Sequence, residues 1–195
     1  MRFVFYTLIL SLTLAPLYGQ DNKFIHLSLI HGLSTQGIDS KITDYNLSLN
    51  IMTGRVHNLR GFNISSLMSQ IDGDMTGVQI SGLINNTKGT VRGFQTSGIS
   101  NKSGIVIGYQ NAGIYNHSKN VVGLQTSGLI NYAEEVTGVQ AAGLINKTTI
   151  LRGFQFGLIN IADSVTVGSG GIGLINLYKK GGFKSYEISS ADYQN

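Results

Sequence analysis

The nonapeptide GVQISGLIN at residues 77–85 returns as GFQTSGISN at 93–101, GYQNAGIYN at 108–116, GLQTSGLIN at 123–131 and GVQAAGLIN at 138–146. The copies start at Gly77, Gly93, Gly108, Gly123 and Gly138, a spacing of 15 residues with one step of 16. A short regular period is the signature of a repeat architecture. GFQFGLIN (153–160) is a copy lacking one residue, IGLIN (172–176) keeps only the second half, and GFNISSLMS (61–69) is a worn copy one period upstream. Eight units therefore cover residues 61–176. Degenerate end copies are expected, because the outermost units face solvent or an adjoining segment instead of another repeat.

Counting from the first Gly of a unit, position three is Gln79, Gln95, Gln110, Gln125, Gln140 and Gln155; position five is Ser or Ala, position seven Leu or Ile, and position nine mostly Asn. Two residues before the Gly stands Met75, Val91, Val106, Val121, Val136 or Leu151. All these positions share one parity, so an extended strand would place them on one face. The opposite parity varies, as at Val78, Phe94, Tyr109, Leu124, Val139 and Phe154. Two Gly per unit, each costing about 1 kcal/mol in a helix interior, argue against helix. The units therefore read as β-structure joined by polar links such as NTKGT (86–90), KSG (102–104), HSKN (117–120) and YAEE (132–135).

Two all-β architectures compete. In a β-solenoid each unit is one coil and successive coils stack about 4.8 Å apart, which sets Gln on Gln and lets side-chain amides bond along the stack. In an antiparallel meander or barrel each unit is one strand of about 10 residues, a length that also spans a membrane. The solenoid is favoured, since identity at equivalent positions matters when like stacks on like. Bacterial membrane barrels also alternate short and long links, and these links are uniform. Gly at position six marks a candidate bend within the coil.

Residues 1–20, MRFVFYTLILSLTLAPLYGQ, combine an early Arg2, an apolar run from Phe3 to Leu14, a break at Pro16 and a small Gly19. This is the pattern of a secretory signal peptide cleaved near Gly19 or Gln20; a membrane anchor would need about 20 apolar residues. No Cys is present, so disulfides play no part in stability after export. Cleavage leaves 13 basic against 10 acidic residues, a formal +3, too mild for a nucleic-acid partner. Residues 21–60 contain two β-prone runs, FIHLSLIHGLS (24–34) and YNLSLNIM (45–52), read as N-terminal strands that lead into or cap the array, with a polar loop at 34–44 between them. Residues 177–195 form a C-terminal region with a strand-like run at 183–188 and a frayed end.

With its signal peptide, its Gly-x-Gln-x-(Ser/Ala)-Gly-(Leu/Ile)-x-Asn units and the closing GFQFGLINIADS (153–164) and GLINLYKKGG (173–182), the chain resembles surface-repeat proteins of Gram-negative envelopes over about residues 45–188. The resemblance implies export and an envelope or surface location, and it implies no activity. Such proteins often continue into further β-structure after the Lys-Gly-Gly segment, so the resemblance also implies a short or truncated member.

No catalytic, cofactor or metal site emerges. His26 and His31, five apart, fall on opposite faces of a strand, and zinc needs three or four converging ligands. Asp72-Gly73-Asp74 lacks the later Glu of a calcium loop. Glu134 and Glu135 are adjacent in a link and read as solvated charge instead of a glycosidase pair. GSGGIG (168–173) runs directly into GLIN without the helix that a phosphate loop requires. The surviving candidate is the variable row: Phe94, Tyr109, Tyr115 and Phe154 form either an outward aromatic stripe for a protein, glycan or lipid partner or the other half of the core. The expected function is a non-catalytic, exported surface module with an envelope or extracellular partner; the alternative is an outer-membrane-embedded β-protein.

Overall fold

The computed structural model describes residues 22–181; the expected signal peptide at 1–20 and the expected strand-like run at 183–188 lie outside them. The N-terminal region supplies strands β1 (Asn22–Ile30), β2 (Leu33–Ser34) and β3 (Asp44–Asn50). Short strands β4 (Thr53–Val56), β5 (Leu59–Ser65), β6 (Met68–Ile71) and β7 (Met75–Ser81) follow. The clean repeats form β8 (Ile84–Ser97), β9 (Ser100–Ala112), β10 (Tyr115–Ser127), β11 (Ile130–Ala142) and β12 (Ile145–Phe156), and the array ends in β13 (Ile159–Val165), β14 (Gly170–Ile172) and β15 (Ile175–Lys180).

The pairings between successive units are parallel and bring equivalent repeat positions together, with Gly93 beside Gly108, Gln95 beside Gln110 and Asn101 beside Asn116; irregularities at Thr87–Thr90 and Tyr45–Leu47 take up the extra residues. Among the described residues only the short β1–β2 pair is antiparallel. The chain is thus a β-solenoid of about nine turns with coils of about 15 residues, and the antiparallel meander or barrel does not form. Residues 22–60 join the same stack, because β1 pairs with β3 and β3 with β5 in the sense of the repeats. Within the expected polar loop at 34–44, Gly37–Ile42 is a turn of 3-10 helix packed against β2 and β4.

Two glycine columns make the coil possible. Gly93 has φ +127°, and a Cβ there would lie 2.1 Å from the Gly77 carbonyl oxygen; the same holds at each first Gly from Gly77 to Gly153. At Gly98 in position six, a Cβ would stand 2.1 Å from the Gly82 carbonyl oxygen. Here the backbones of successive bends approach too closely for any side chain.

The bend corrects one expectation. Leu83, Ile99, Ile114, Leu129 and Leu144 share parity with Gln and Asn, yet they are the exposed tip of the turn, with Leu83 39% accessible. Strand alternation holds from Gln95 to Ser97, is interrupted at Gly98–Ile99, and resumes with Asn101 buried. The links also differ from expectation. They run inside β8 to β11 because their backbone groups pair with the equivalent link of the next coil, while Thr87, Ser103, Ser118 and Ala133 turn inward.

The interior therefore consists of five columns: Gln, small Ser/Ala, Asn, small Ser/Thr/Ala, and the apolar column Tyr45, Leu59, Met75, Val91, Val106, Val121, Val136, Leu151 and Val165. Four of the five carry polar side chains, so the fold depends strongly on hydrogen-bond satisfaction.

Candidate interaction face

The Gln column is one continuous ladder. Nε2 of Gln95 donates to Oε1 of Gln79 at 2.8 Å, and the step repeats from Gln110, Gln125, Gln140 and Gln155 at 2.7–2.8 Å. Thr87, Ser103 and Ser118 add hydroxyl donation to the same Oε1 atoms. The Asn column runs the other way. Nδ2 of Asn85 donates forward to Oδ1 of Asn101, and so on through Asn116, Asn131, Asn146, Asn160 and Asn176 at 2.8–3.0 Å. The second N–H of each Asn from Asn85 to Asn160 goes to a main-chain carbonyl beside the next bend, as from Asn85 to Thr96. A carbonyl only accepts, so this contact fixes which way each amide points. The two ladders therefore polarise in opposite senses, and their side-chain dipoles oppose each other.

With Gln, Asn and the small residues turned in, positions two and four of each coil turn out. Position two runs Leu47, Phe62, Val78, Phe94, Tyr109, Leu124, Val139, Phe154 and Gly170; position four runs Leu49, Ile64, Ile80, Thr96, Asn111, Thr126, Ala141, Phe156 and Ile172. Neither column contains a charged residue. Phe62 is 58%, Phe94 57% and Phe154 46% accessible. The exposed Leu/Ile tips of position seven border this face along one side. The variable row is thus an outer surface and not the other half of the core.

Phe94 and Tyr109 are neighbours, edge to face with centroids 6.1 Å apart, and the Tyr109 hydroxyl meets the Thr126 hydroxyl at 2.9 Å. Asn111 bonds Thr96, and Thr126 bonds Asn111, so the centre of the face is a small polar network between apolar ends. Phe154 lies three coils further on and packs against Phe156. Tyr115 does not join them. It lies past the bend on the adjoining face, against His117 at 6.1 Å; His117 in turn meets Tyr132 at 5.0 Å, and Lys147 lies over the Tyr132 ring at 5.9 Å. Burial, reinforced by Lys102 and partly offset by Glu134, lowers the His117 pKa. Sequence reasoning missed this second cluster because His117 and Tyr132 fall in segments read as links. It also passed over Phe62, Ile64, Ile80 and Phe156, whose only signal was their place at positions two and four.

The remaining sequence candidates are placed as follows. His26 is buried against Tyr45 and the Ser48 hydroxyl, and burial lowers its pKa to about 4, while His31 is exposed. At Asp72, burial acts to raise the pKa, but hydrogen bonds from Arg55, Lys88 and Gln70 outweigh it and hold the carboxyl well below the usual range. Glu135 pairs with Arg152, and Glu134 is exposed. In the Gly-rich 168–173 segment, Gly170–Ile172 is a strand that extends the face. Comparisons with protein-family models, with curated proteins and with solved structures find no match.

Proposed function

We propose that this chain is an exported, non-catalytic structural module of a Gram-negative cell envelope or surface that docks a partner through the face built from positions two and four. The observation that carries this reading is the uncharged outer surface from Leu47 to Ile172, with Phe62, Phe94 and Phe154 standing in solvent. Large contiguous apolar patches on soluble proteins mark interaction sites. The residues 1–20 pattern and the resemblance of the repeat units to envelope surface-repeat proteins support export. The interior Gln and Asn side chains are engaged in the two ladders, and the interior columns are buried away from solvent.

The test is photo-crosslinking in cells that express the full chain, with a photoreactive residue replacing Phe94 or Phe154 and, as a control, Lys119. The expected outcome is an exported chain beginning near Asp21, with a discrete adduct from positions 94 and 154 and none from 119. Retention in the cytosol with residues 1–20 intact, or no adduct from either face position, would overturn the proposal.

A further inference from the structure

The face is palindromic. About the coil of Tyr109 and Asn111, Phe62 mirrors Phe154, Val78 mirrors Val139 and Phe94 mirrors Leu124. In position four, Ile64 mirrors Phe156, Ile80 mirrors Ala141 and Thr96 mirrors Thr126. At the ends, Leu49 mirrors Ile172, while Leu47 falls opposite Gly170, the one unlike pair. Apolar residues thus occupy both ends, and one polar network of Thr96, Asn111, Thr126 and the Tyr109 hydroxyl occupies the centre.

We infer that the partner of this face is a second copy of the same chain, stacked face to face with its axis reversed, about a two-fold axis that passes through the Tyr109–Asn111 coil along its strand direction. This rests on the proposal that the face docks a partner, and names that partner. A two-fold interface brings one patch against itself, so it must be self-complementary. This operation lays position two on position two and position four on position four, setting each aromatic end on the opposite aromatic end and the polar centre on itself. A parallel arrangement would instead lay position two on position four and set Tyr109 against Asn111.

The dimensions suit a dimer. At about 4.8 Å per coil the surface from Leu47 to Ile172 is about 38 Å long, and four strand residues make it about 13 Å wide, so two copies cover on the order of 1,000 Å² before side-chain relief is counted. That reaches the area at which specific interfaces begin. The absence of charge from both columns means that no ion is desolvated on closure. Arg60, Arg92 and Arg152, one residue before the first Gly, are exposed beside the face, and Arg92 and Arg152 are paired with Asp74 and Glu135.

The experiment combines sedimentation with cysteine pairing, which the Cys-free sequence permits without background. The purified protein should sediment at twice its chain mass, and Phe94→Glu, an exposed position that leaves the interior intact, should give a folded monomer by circular dichroism. Tyr109→Cys, next to the axis, should form a disulfide-linked dimer with itself under mild oxidation. Phe154→Cys alone should not, whereas a mixture of Phe154→Cys and Phe62→Cys chains should. A folded wild-type monomer would overturn the inference, as would a dimer that survives Phe94→Glu or a Phe154→Cys chain that links to itself. A crosslinked adduct of position 94 with a different molecule would leave the docking face standing while removing the second copy as its occupant.

Discussion

Gln155 ends its ladder against Gly171. Its Nε2 donates to Gln140 at 2.8 Å, but its own Oε1 is buried without a donor among the described residues, because the register sets Gly171 where a seventh glutamine would stand. The space is taken by Tyr178, whose hydroxyl would lie 2.4 Å from a Cβ on Gly171. A bulky ring thus closes the C-terminal end of a column that elsewhere stacks like on like. At the other end the same column passes from Gln79 through Asn63 and Ser48 to His26, which lies against Tyr45.

The difference between ladder middle and ladder end gives the first prediction. Gln110→Leu removes the acceptor of Gln125 Nε2 and of the Ser118 hydroxyl and the donor to Gln95. At about 1–3 kcal/mol per buried group left unpaired, it should destabilise by roughly 2–5 kcal/mol. Gln155→Leu unpairs Gln140 Oε1, gives up a long 3.4 Å contact to the Ile161 carbonyl, and removes an oxygen that already lacks a donor, so it should cost clearly less. Chemical denaturation of both variants checks the order.

Position five gives the opposite sign. The hydroxyls of Ser81, Ser97 and Ser127 are buried without partners, and Ala112 and Ala142 occupy the same column. Burying an unbonded hydroxyl costs about 1–3 kcal/mol by mutational measures. Ser97→Ala should therefore leave stability unchanged or raise it, as read from the melting temperature.

Exposure alone misjudges the bend glycines. Gly98 is solvent-exposed, a class in which substitutions usually cost little, yet its Cβ would sit 2.1 Å from the Gly82 oxygen. Gly98→Ala must push two coils apart and should destabilise by about 2 kcal/mol or more, whereas Lys119→Ala, on an exposed link, should be nearly silent. Thermal melts of the two variants decide this.

His26 sets a pH dependence. The folded chain keeps it neutral down to about pH 4, while the unfolded chain takes up a proton below about 6.5. Between these values the unfolded state binds more protons, so stability is full above about 6.5 and falls as the pH drops toward 4. Asp72, with its lowered pKa, loses its contribution only at still lower pH, below the usual carboxylate value. His26→Gln should flatten stability across the upper part of this window. Denaturant midpoints followed against pH would show it.

Much of this was legible in the residues themselves. Repetition of Gln and Asn at fixed positions is worthless to antiparallel neighbours and decisive in a parallel stack, so the ladder of Gln79 to Gln155 could be read before any coordinates. Parity failed at position seven because a two-residue bend at Gly98–Ile99 uses up residues without strand alternation. It also hid the His117–Tyr132–Lys147 cluster, since polar composition in HSKN and YAEE resembles a link whether or not the backbone stays paired. Phe94, Tyr109 and Phe154 were legible as one row, but Tyr115, past the bend, was not separable from them by aromatic character alone.

Stacking of near-twin coils in one direction is tested most directly by distances between spin labels on the outer surface. Thr76, Thr137 and Thr166 occupy equivalent positions, four coils apart for the first pair and six for the outer pair. With cysteines at 76 and 137, or at 76 and 166, and labelled chains diluted in unlabelled ones, backbone separations should be about 19 Å and about 29 Å, rising by one coil spacing per unit. A separation that levels off or shrinks as units are added between the labels, as around a closed wall, would contradict the account.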